Sequence, residues 1–369
     1  MAQHDPAMLE QKLMDGSLWA DFCDQLKAAG EIVLRESTPN DLLNRAEGYR
    51  YLTRLLRAGL ESNVESSDPR FPRFYQLAND TIKIGNDNPD NIYHNANVDG
   101  RLDYRLSGNR GSVDYLSFGT KAGSYATTGT LEPSGQLEAA DLQLDANGDF
   151  EIILSSTPKP GNWLPMRDDT QTLIVRQTFG DRSAEVAATY RIECTTPQPG
   201  GTLLPDEFAE QLLRSVGFVQ GTSGLFVDWM QRYSSHINQL PSDDQQRCQA
   251  AGGDAAIHYL QSYWKLAPDE ALVITAPTIP ACQTWNFQLS NYWMESLDYR
   301  RFKISVNKHT AVYNADGSVC VVVAHTDPGP RYPNWLTTAG HDQGGMLWRW
   351  VGAKEHPPVH CRLARFSEL

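Results

Sequence analysis

Two segments of this 369-residue chain carry the same signals in the same order. The first runs Asn147-Gly148, an apolar stretch Phe150–Leu154, Thr157-Pro158, Asn162-Trp163-Leu164, and a second apolar stretch that holds Arg176. The second runs Asp316-Gly317, Val319–Val323, Thr326-Asp327-Pro328, Asn334-Trp335-Leu336, and a stretch that holds Arg349. From Asn162 to Arg176 is 14 positions, and from Asn334 to Arg349 is 15. One shared tripeptide means little. A shared series of turn, strand, proline loop, tripeptide and arginine-bearing strand requires the chain to build one unit twice. Short apolar runs separated by Asn-Gly and Asp-Gly turns are the pattern of antiparallel β-sandwiches.

Around the repeat the texture is helical. Leu9, Leu13, Leu18, Trp19, Phe22 and Leu26 recur at helical spacing, and Gly30 marks a stop. A second helix opens near Thr38-Pro39-Asn40-Asp41 and ends near Glu61–Asn63. A Pro/Gly linker spans 195–201, and a helical pattern then runs from Pro205 to about Leu266 through Ile257, Leu260 and Trp264. The fold expected is mainly β with α: two jelly-roll-like antiparallel β-sandwich modules with N-terminal and inter-domain helices. Its parts are an N-terminal helical region over 1–66, a first sandwich over 67–195, a linker and helical insertion over 196–267, and a second sandwich over 268–369. The apolar stripe of the first helices needs a cover, which points to a homo-oligomer.

The formal charge of −13 opposes binding to nucleic acid or to anionic membranes. No segment approaches the ~20 apolar residues of a membrane helix. The N-terminus shows no basic and apolar leader. The six cysteines are scattered without a C-x-x-C pair, which suits reduced thiols and a cytoplasmic location.

From Ala271 to Arg365 the chain resembles the DUF1214 family of unknown function. The resemblance rests on Trp285-Asn286-Phe287, Asn307, Asn314-Ala315-Asp316-Gly317, Asp327-Pro328-Gly329, Asn334-Trp335-Leu336 and Arg349. Upstream, Asn88-Pro89-Asp90-Asn91-Ile92-Tyr93 is similar to the N-x-D-T-x-Y motif of the DUF1254 family, with Asn91 in place of Thr. Many DUF1214 members continue after N-W-L with Pro-x-Pro, where this chain has Thr337-Thr338-Ala339-Gly340-His341. The resemblance implies paired β-sandwiches, helical insertions and frequent self-association, and no settled activity.

Two groups of residues can carry chemistry. His325 and Asp327 follow the strand Val319–Val323, and His341 lies in the loop after N-W-L. Both loops flank Asn334-Trp335, so His325, Asp327, Asn334 and His341 are expected at one end of the second sandwich, with Arg349 nearby. A histidine can exchange a proton at neutral pH, and a carboxylate beside it fixes its tautomer. The plain alternative is that these residues cap loops, and that the Asn and Trp of N-W-L pin a loop to the sandwich. The second group is Asp87, Asp90, Asn91, Tyr93 and His94. Its carboxylates suit a hard cation, and the same residues are also good turn formers. Arg176 and Arg349 can hold an anion in bidentate fashion, and the commoner fate of such an arginine is to be buried against a carboxylate of the chain itself. His356 and His360 stand four apart, but the prolines between them oppose a metal-binding helix. Trp348 and Trp350 alternate onto one sheet face, as core or as an aromatic platform. No nucleophile elbow, P-loop or dinucleotide fingerprint occurs.

The function expected is a cofactor-independent enzyme working on a small organic metabolite by acid–base chemistry: hydrolysis, dehydration or isomerisation. Its catalytic residues would be His325, His341 and Asp327, with Asn334, Trp335, Arg349, Asn91 and Tyr93 binding substrate. The alternatives are a non-catalytic module that binds a carbohydrate or apolar ligand, and a metal-assisted hydrolase of an anionic small molecule. A divalent cation is the one cofactor in question.

Overall fold

A computed structural model describes residues 6–196 and 203–369. The Pro/Gly linker expected over 195–201 falls largely outside the described residues. Helices α1 (Pro6–Asp15), α2 (Ser17–Ala29) and α3 (Leu42–Leu60) open the chain. The Asp41 side chain caps α3 by accepting the backbone N–H of Asn44 at 2.9 Å.

The first module contains β1 (Asn91–Asn97), β2 (Tyr104–Asn109), β3 (Tyr115–Ala122), β4 (Glu132–Glu138), β5 (Asp149–Ser155), β6 (Trp163–Pro165), β7 (Thr170–Thr178) and β8 (Thr189–Cys194). Helices α4 (Pro205–Tyr233) and α5 (Gln245–Ala250) follow. The second module contains β9 (Ile257–Lys265), β10 (Glu270–Ala276), β11 (Thr284–Leu289), β12 (Ser305–Asn307), β13 (Val319–Ala324), β14 (Trp335–Thr337), β15 (Gln343–Val351) and β16 (His360–Arg365).

The two modules have the same topology. The first forms sheets β1-β7-β3-β4 and β6-β5-β2-β8. The second forms β9-β15-β11-β12 and β14-β13-β10-β16, each strand in the place of its counterpart. The short β6 and β14 run parallel to β5 and β13. Both stretches that define the repeat, Phe150–Leu154 and Val319–Val323, are strands, as expected.

Ile257–Lys265 departs from expectation. It is strand β9, paired with β15 along its whole length, and not the end of a helical insertion. The second module therefore starts at Ile257, ahead of 268. Ile257, Leu260 and Trp264 gave a helical spacing, yet Tyr259, Leu260, Gln261, Ser262, Tyr263 and Trp264 are all buried. A strand buried on both faces loses the alternation that would mark it.

Each sandwich has its own core. Leu106, Phe118, Ile152, Leu164 and Val175 lie in the first, and Trp264, Trp285, Val321, Trp348 and Trp350 in the second. The Trp348 and Trp350 face is thus core. Trp285 stacks on Trp348 with centroids 4.8 Å apart. A third cluster joins the modules to α3 and α4 through Tyr115, Tyr125, Tyr259, Leu347, Leu55 and Phe226. The N-terminal stripe finds its cover inside the chain: Leu9, Leu18 and Phe22 pack on Leu212, Leu213 and Val216 of α4. Trp19 stays 63% exposed. The described cysteines are free thiols, and no helix among the described residues is long and apolar enough to cross a membrane.

Candidate functional site

The loop end of the second sandwich brings some of the expected residues together. His325 Nδ1 lies 3.0 Å from Thr338 Oγ1, and His341 Nδ1 lies 3.1 Å from the Thr338 carbonyl. The two histidines thus meet at one threonine. His341 Nε2 is 3.0 Å from Glu47 Oε2 on α3. Burial pushes the His341 imidazole down, but its bond to Glu47 and the charge there outweigh this and raise its pKa.

Asp327 and Asn334 have other occupations. Asp327 is exposed, and its Oδ1 accepts the N–H of Gly329 at 2.8 Å. Asn334 Oδ1 accepts Val312 N–H, and its Nδ2 donates to the carbonyls of Val312 and Cys320. Trp335 Nε1 donates to the Ala324 carbonyl at 3.1 Å. The first module repeats this fastening: Asn162 holds both backbone groups of Gln143 and the Glu151 carbonyl, and Trp163 Nε1 donates to Ser155. N-W-L pins a loop in each module. Arg349 is absent from this cluster.

The carboxylates upstream do not converge either. Asp87 spends its oxygens on the N–H and Oγ of Ser296, at 2.9 and 2.8 Å. Asp90 is half-buried, and burial lifts its carboxyl to about 6. His356 stacks on His258, centroids 3.8 Å apart, while His360 opens β16. Among the described residues no three His, Cys, Asp or Glu form a metal-binding group.

Arg349, Asn91 and Tyr93 gather elsewhere, at the junction of the modules. Tyr93 of β1 lies opposite Arg176 of β7, and Tyr259 of β9 lies opposite Arg349 of β15. The loop before β1 and the loop before β9 exchange bonds across this junction in matching fashion. Asn88 N–H donates to Tyr93 Oη at 3.0 Å, and Asp254 N–H donates to Tyr259 Oη at 2.9 Å. Arg349 Nη2 donates to the Asn86 carbonyl, and Arg176 Nη2 to the Gly252 carbonyl. Asn286, opposite Arg349, donates to Asn88, and Ser117, opposite Arg176, donates to Asp254.

The match breaks in charge. Asp254 stands where the other half has Asn88. Its Oδ2 lies 3.6 Å from Arg176 Nη1, an ion pair but beyond a good hydrogen bond. Arg176 Nη1 has no hydrogen-bond partner. Burial pushes the Arg176 pKa down, and Asp254 together with Tyr259, Tyr93 and Tyr115 more than offsets it. Arg349 is 4% exposed, and its Nη1 partners are the neutral oxygens of Asn286 (3.2 Å) and Gln288 (2.6 Å). Among the described residues it makes no ion pair, and burial drives its pKa down.

Both arginines and both tyrosines line one cavity of about 150 Å³. Asn91 joins them, its Oδ1 without a partner, and Ile174, Phe226 and Leu347 give the cavity apolar walls. Each phenol oxygen accepts a backbone N–H, and its own proton has no acceptor among the described residues. Burial raises both phenol pKa values, so both stay protonated donors. Sequence reasoning picked out Arg349, Arg176, Asn91 and Tyr93 but missed Tyr259 and Asp254. The available signal was the spacing: five positions separate Asn88 from Tyr93 and Asp254 from Tyr259.

Among solved structures, the chain is similar to an uncharacterized protein from Burkholderia cenocepacia, with 50% identity over 97% of this chain and 99% of that one and a TM-score of 0.95. It also matches the VPA0106 protein from Vibrio parahaemolyticus at 12% identity, over 84% of this chain and 97% of that one, with a TM-score of 0.48. No curated protein matches. A family model described as a protein of unknown function, DUF1214, matches residues 265–355. These residues run from the end of β9 past β15 and hold the N-W-L loop and Arg349, so this segment of the chain belongs to the DUF1214 family.

Proposed function

We propose that this protein binds a small organic anion, a carboxylate, in the cavity between its two modules. The observation that carries the reading is Arg349, a buried guanidinium with no ion pair, in the wall of a cavity that also holds Arg176. Burial drives its pKa down, and Asp87 and Asp90 act on it only from beyond ion-pair distance. A buried cation without a paired carboxylate is costly, and a ligand carboxylate would offset that cost. The unspent donors beside it, Arg176 Nη1 and the hydroxyls of Tyr93 and Tyr259, suit the same ligand. Apolar walls with a few convergent polar groups are the usual make-up of small-molecule sites.

Calorimetry on the full chain with acetate, succinate, benzoate and inorganic phosphate tests the reading. Binding of at least one carboxylate is expected. Tyr93→Phe and Arg349→Gln should each weaken it by about tenfold or more, the worth of one charge-assisted hydrogen bond. Tyr93→Phe removes only the hydroxyl, so it serves if Arg349→Gln fails to fold. No heat with any of the four probes overturns the proposal.

The acid–base reading at His325 has one observation in its favour. His325 Nε2 is buried without a partner, and His325 lines a surface depression of about 570 Å³ with Asp342 and Glu270. Once a substrate is in hand, His325→Ala decides it. Loss of a general acid or base lowers turnover by roughly 10²-fold or more, and unchanged turnover removes His325 from the mechanism.

A further inference from the structure

The inner cavity is too small for a metabolite of ordinary size. At about 150 Å³ it matches a cavity that takes a benzene-sized group, whereas small-molecule sites run from roughly 300 to 1,000 Å³. A second cleft of about 690 Å³ supplies the missing space. The two share Leu77, Asn95, Tyr125 and Leu131 as wall, so little more than these side chains divides them. Three of the four are apolar or aromatic.

The two ends differ in charge. The inner end holds Arg349 without an ion pair and Arg176 with an unsatisfied Nη1, beside one carboxylate, Asp87, whose oxygens accept from Ser296. The outer cleft holds four carboxylates, Asp99, Asp168, Asp169 and Glu210, against Arg101 and Arg214. Both of these cations are already engaged, Arg101 by Asp99 at 2.5 Å and Arg214 by Glu210 at 2.7 Å. Asp169 pairs with Arg167. Asp168 has no ion pair among the described residues. A plain anion is favoured inside and repelled at the mouth, while a ligand with opposite charges at its two ends is favoured at both.

We infer that the ligand is a dipolar organic acid, in which an apolar spacer separates a carboxylate from an ammonium or similar cation. The carboxylate sits at Arg176 and Arg349, the spacer passes Leu77, Tyr125 and Leu131, and the cation lies by Asp168. This rests on the reading of the inner cavity as an anion site and adds the class of molecule that fills it.

The test is calorimetry on the full chain at low ionic strength, comparing ω-amino carboxylates with unsubstituted carboxylates and with α,ω-diamines of equal length. The ω-amino acids are expected to bind several-fold more tightly than the unsubstituted acids. Asp168→Asn, at an exposed position, should abolish that advantage, and added salt should shrink it. If the unsubstituted acids bind as well as or better than the amino acids, the inference falls and the anion site stands. If neither class of carboxylate binds, the anion site itself falls and takes the inference with it. Diamines that bind as tightly as the amino acids overturn both.

Discussion

The two modules agree in their loops and differ at their shared face. In both, an asparagine and a tryptophan fasten the same loop through the same backbone groups. At the face where the modules meet, the exchange of bonds is also preserved, but Asp254 answers Arg176 while neutral Asn88 answers the region of Arg349. Fastening a loop requires only hydrogen bonds, and both copies of the repeat retain that solution. Neutralising a buried charge requires a carboxylate close at hand: Arg176 has Asp254 at 3.6 Å, whereas Asp87 and Asp90 act on Arg349 only from beyond ion-pair distance. A fold that leaves one buried cation open gives up stability at that point. Such local losses are expected at functional sites.

Exchanging the acid and the amide gives the largest effect. Asp254 is fully buried and accepts bonds from Tyr115 Oη, Ser117 Oγ, Gln136 Nε2 and the Ala256 N–H, at 2.8–3.1 Å. Asp254→Asn should cost about 3–5 kcal/mol in a denaturant titration, the range for removing one partner of a buried ion pair. Asn88→Asp should leave stability equal or higher, because it brings a carboxylate toward Arg349, and it should abolish carboxylate binding. Equal losses of stability from the two exchanges would show that the modules do not differ in the way described.

The loop fastenings sharpen the other half of the comparison. Asn334 is 2% exposed, whereas Asn162 is half-buried and can turn to water when its partners are lost. Each makes three bonds to backbone. Removal of a buried polar partner costs roughly 1–3 kcal/mol. Asn334→Ala should fall at the upper end of that range and Asn162→Ala at the lower end, measured by the same titration. A larger loss at Asn162 would mean that exposure does not set the cost.

Much of this architecture is legible in the sequence because it is written in local signals. Asn147-Gly148 and Asp316-Gly317 make tight turns wherever they occur, and the strands after them follow by alternation. β9 is not legible, because burial on both faces erases its period. The site is legible only in part. Arg176 and Arg349 stand out on matching strands, but their partners come from loops far away in the chain. Nothing near Arg349 announces Asn86, and nothing near His341 announces Glu47, 294 positions earlier. Such pairs exist only once the modules and α3 have docked.

The smallest effect concerns that last pair, for which the first module has no counterpart. The loop after Trp163 carries Arg167 and Asp169 as a surface ion pair, whereas the loop after Trp335 carries buried His341. His341 faces Glu47, and behind Glu47 stand Arg50, Asn291, Glu295 and Arg54. Burial pushes the Glu47 carboxyl up, but His341 and then Arg50 outweigh it and hold it below the usual range. The His341 imidazolium is held above its usual range by Glu47. A raised histidine pKa contributes stability that is fully present below about 6.5 and is lost as pH rises through the folded value. A lowered glutamate pKa contributes stability that is present above about 4.3 and is lost as pH falls through the folded value. The pair therefore fastens α3 to the second module best between these limits. The stability difference between the wild type and His341→Gln should be greatest near pH 6 and should shrink by pH 9. Measuring it as a difference cancels the opposite trend of Lys121, whose buried ammonium is pushed down to about 7 by burial and then by Arg176, and so favours folding as pH rises. A difference that stays constant from pH 6 to pH 9 would mean that His341 holds α3 as a neutral hydrogen-bonding group and carries no charge in the folded protein.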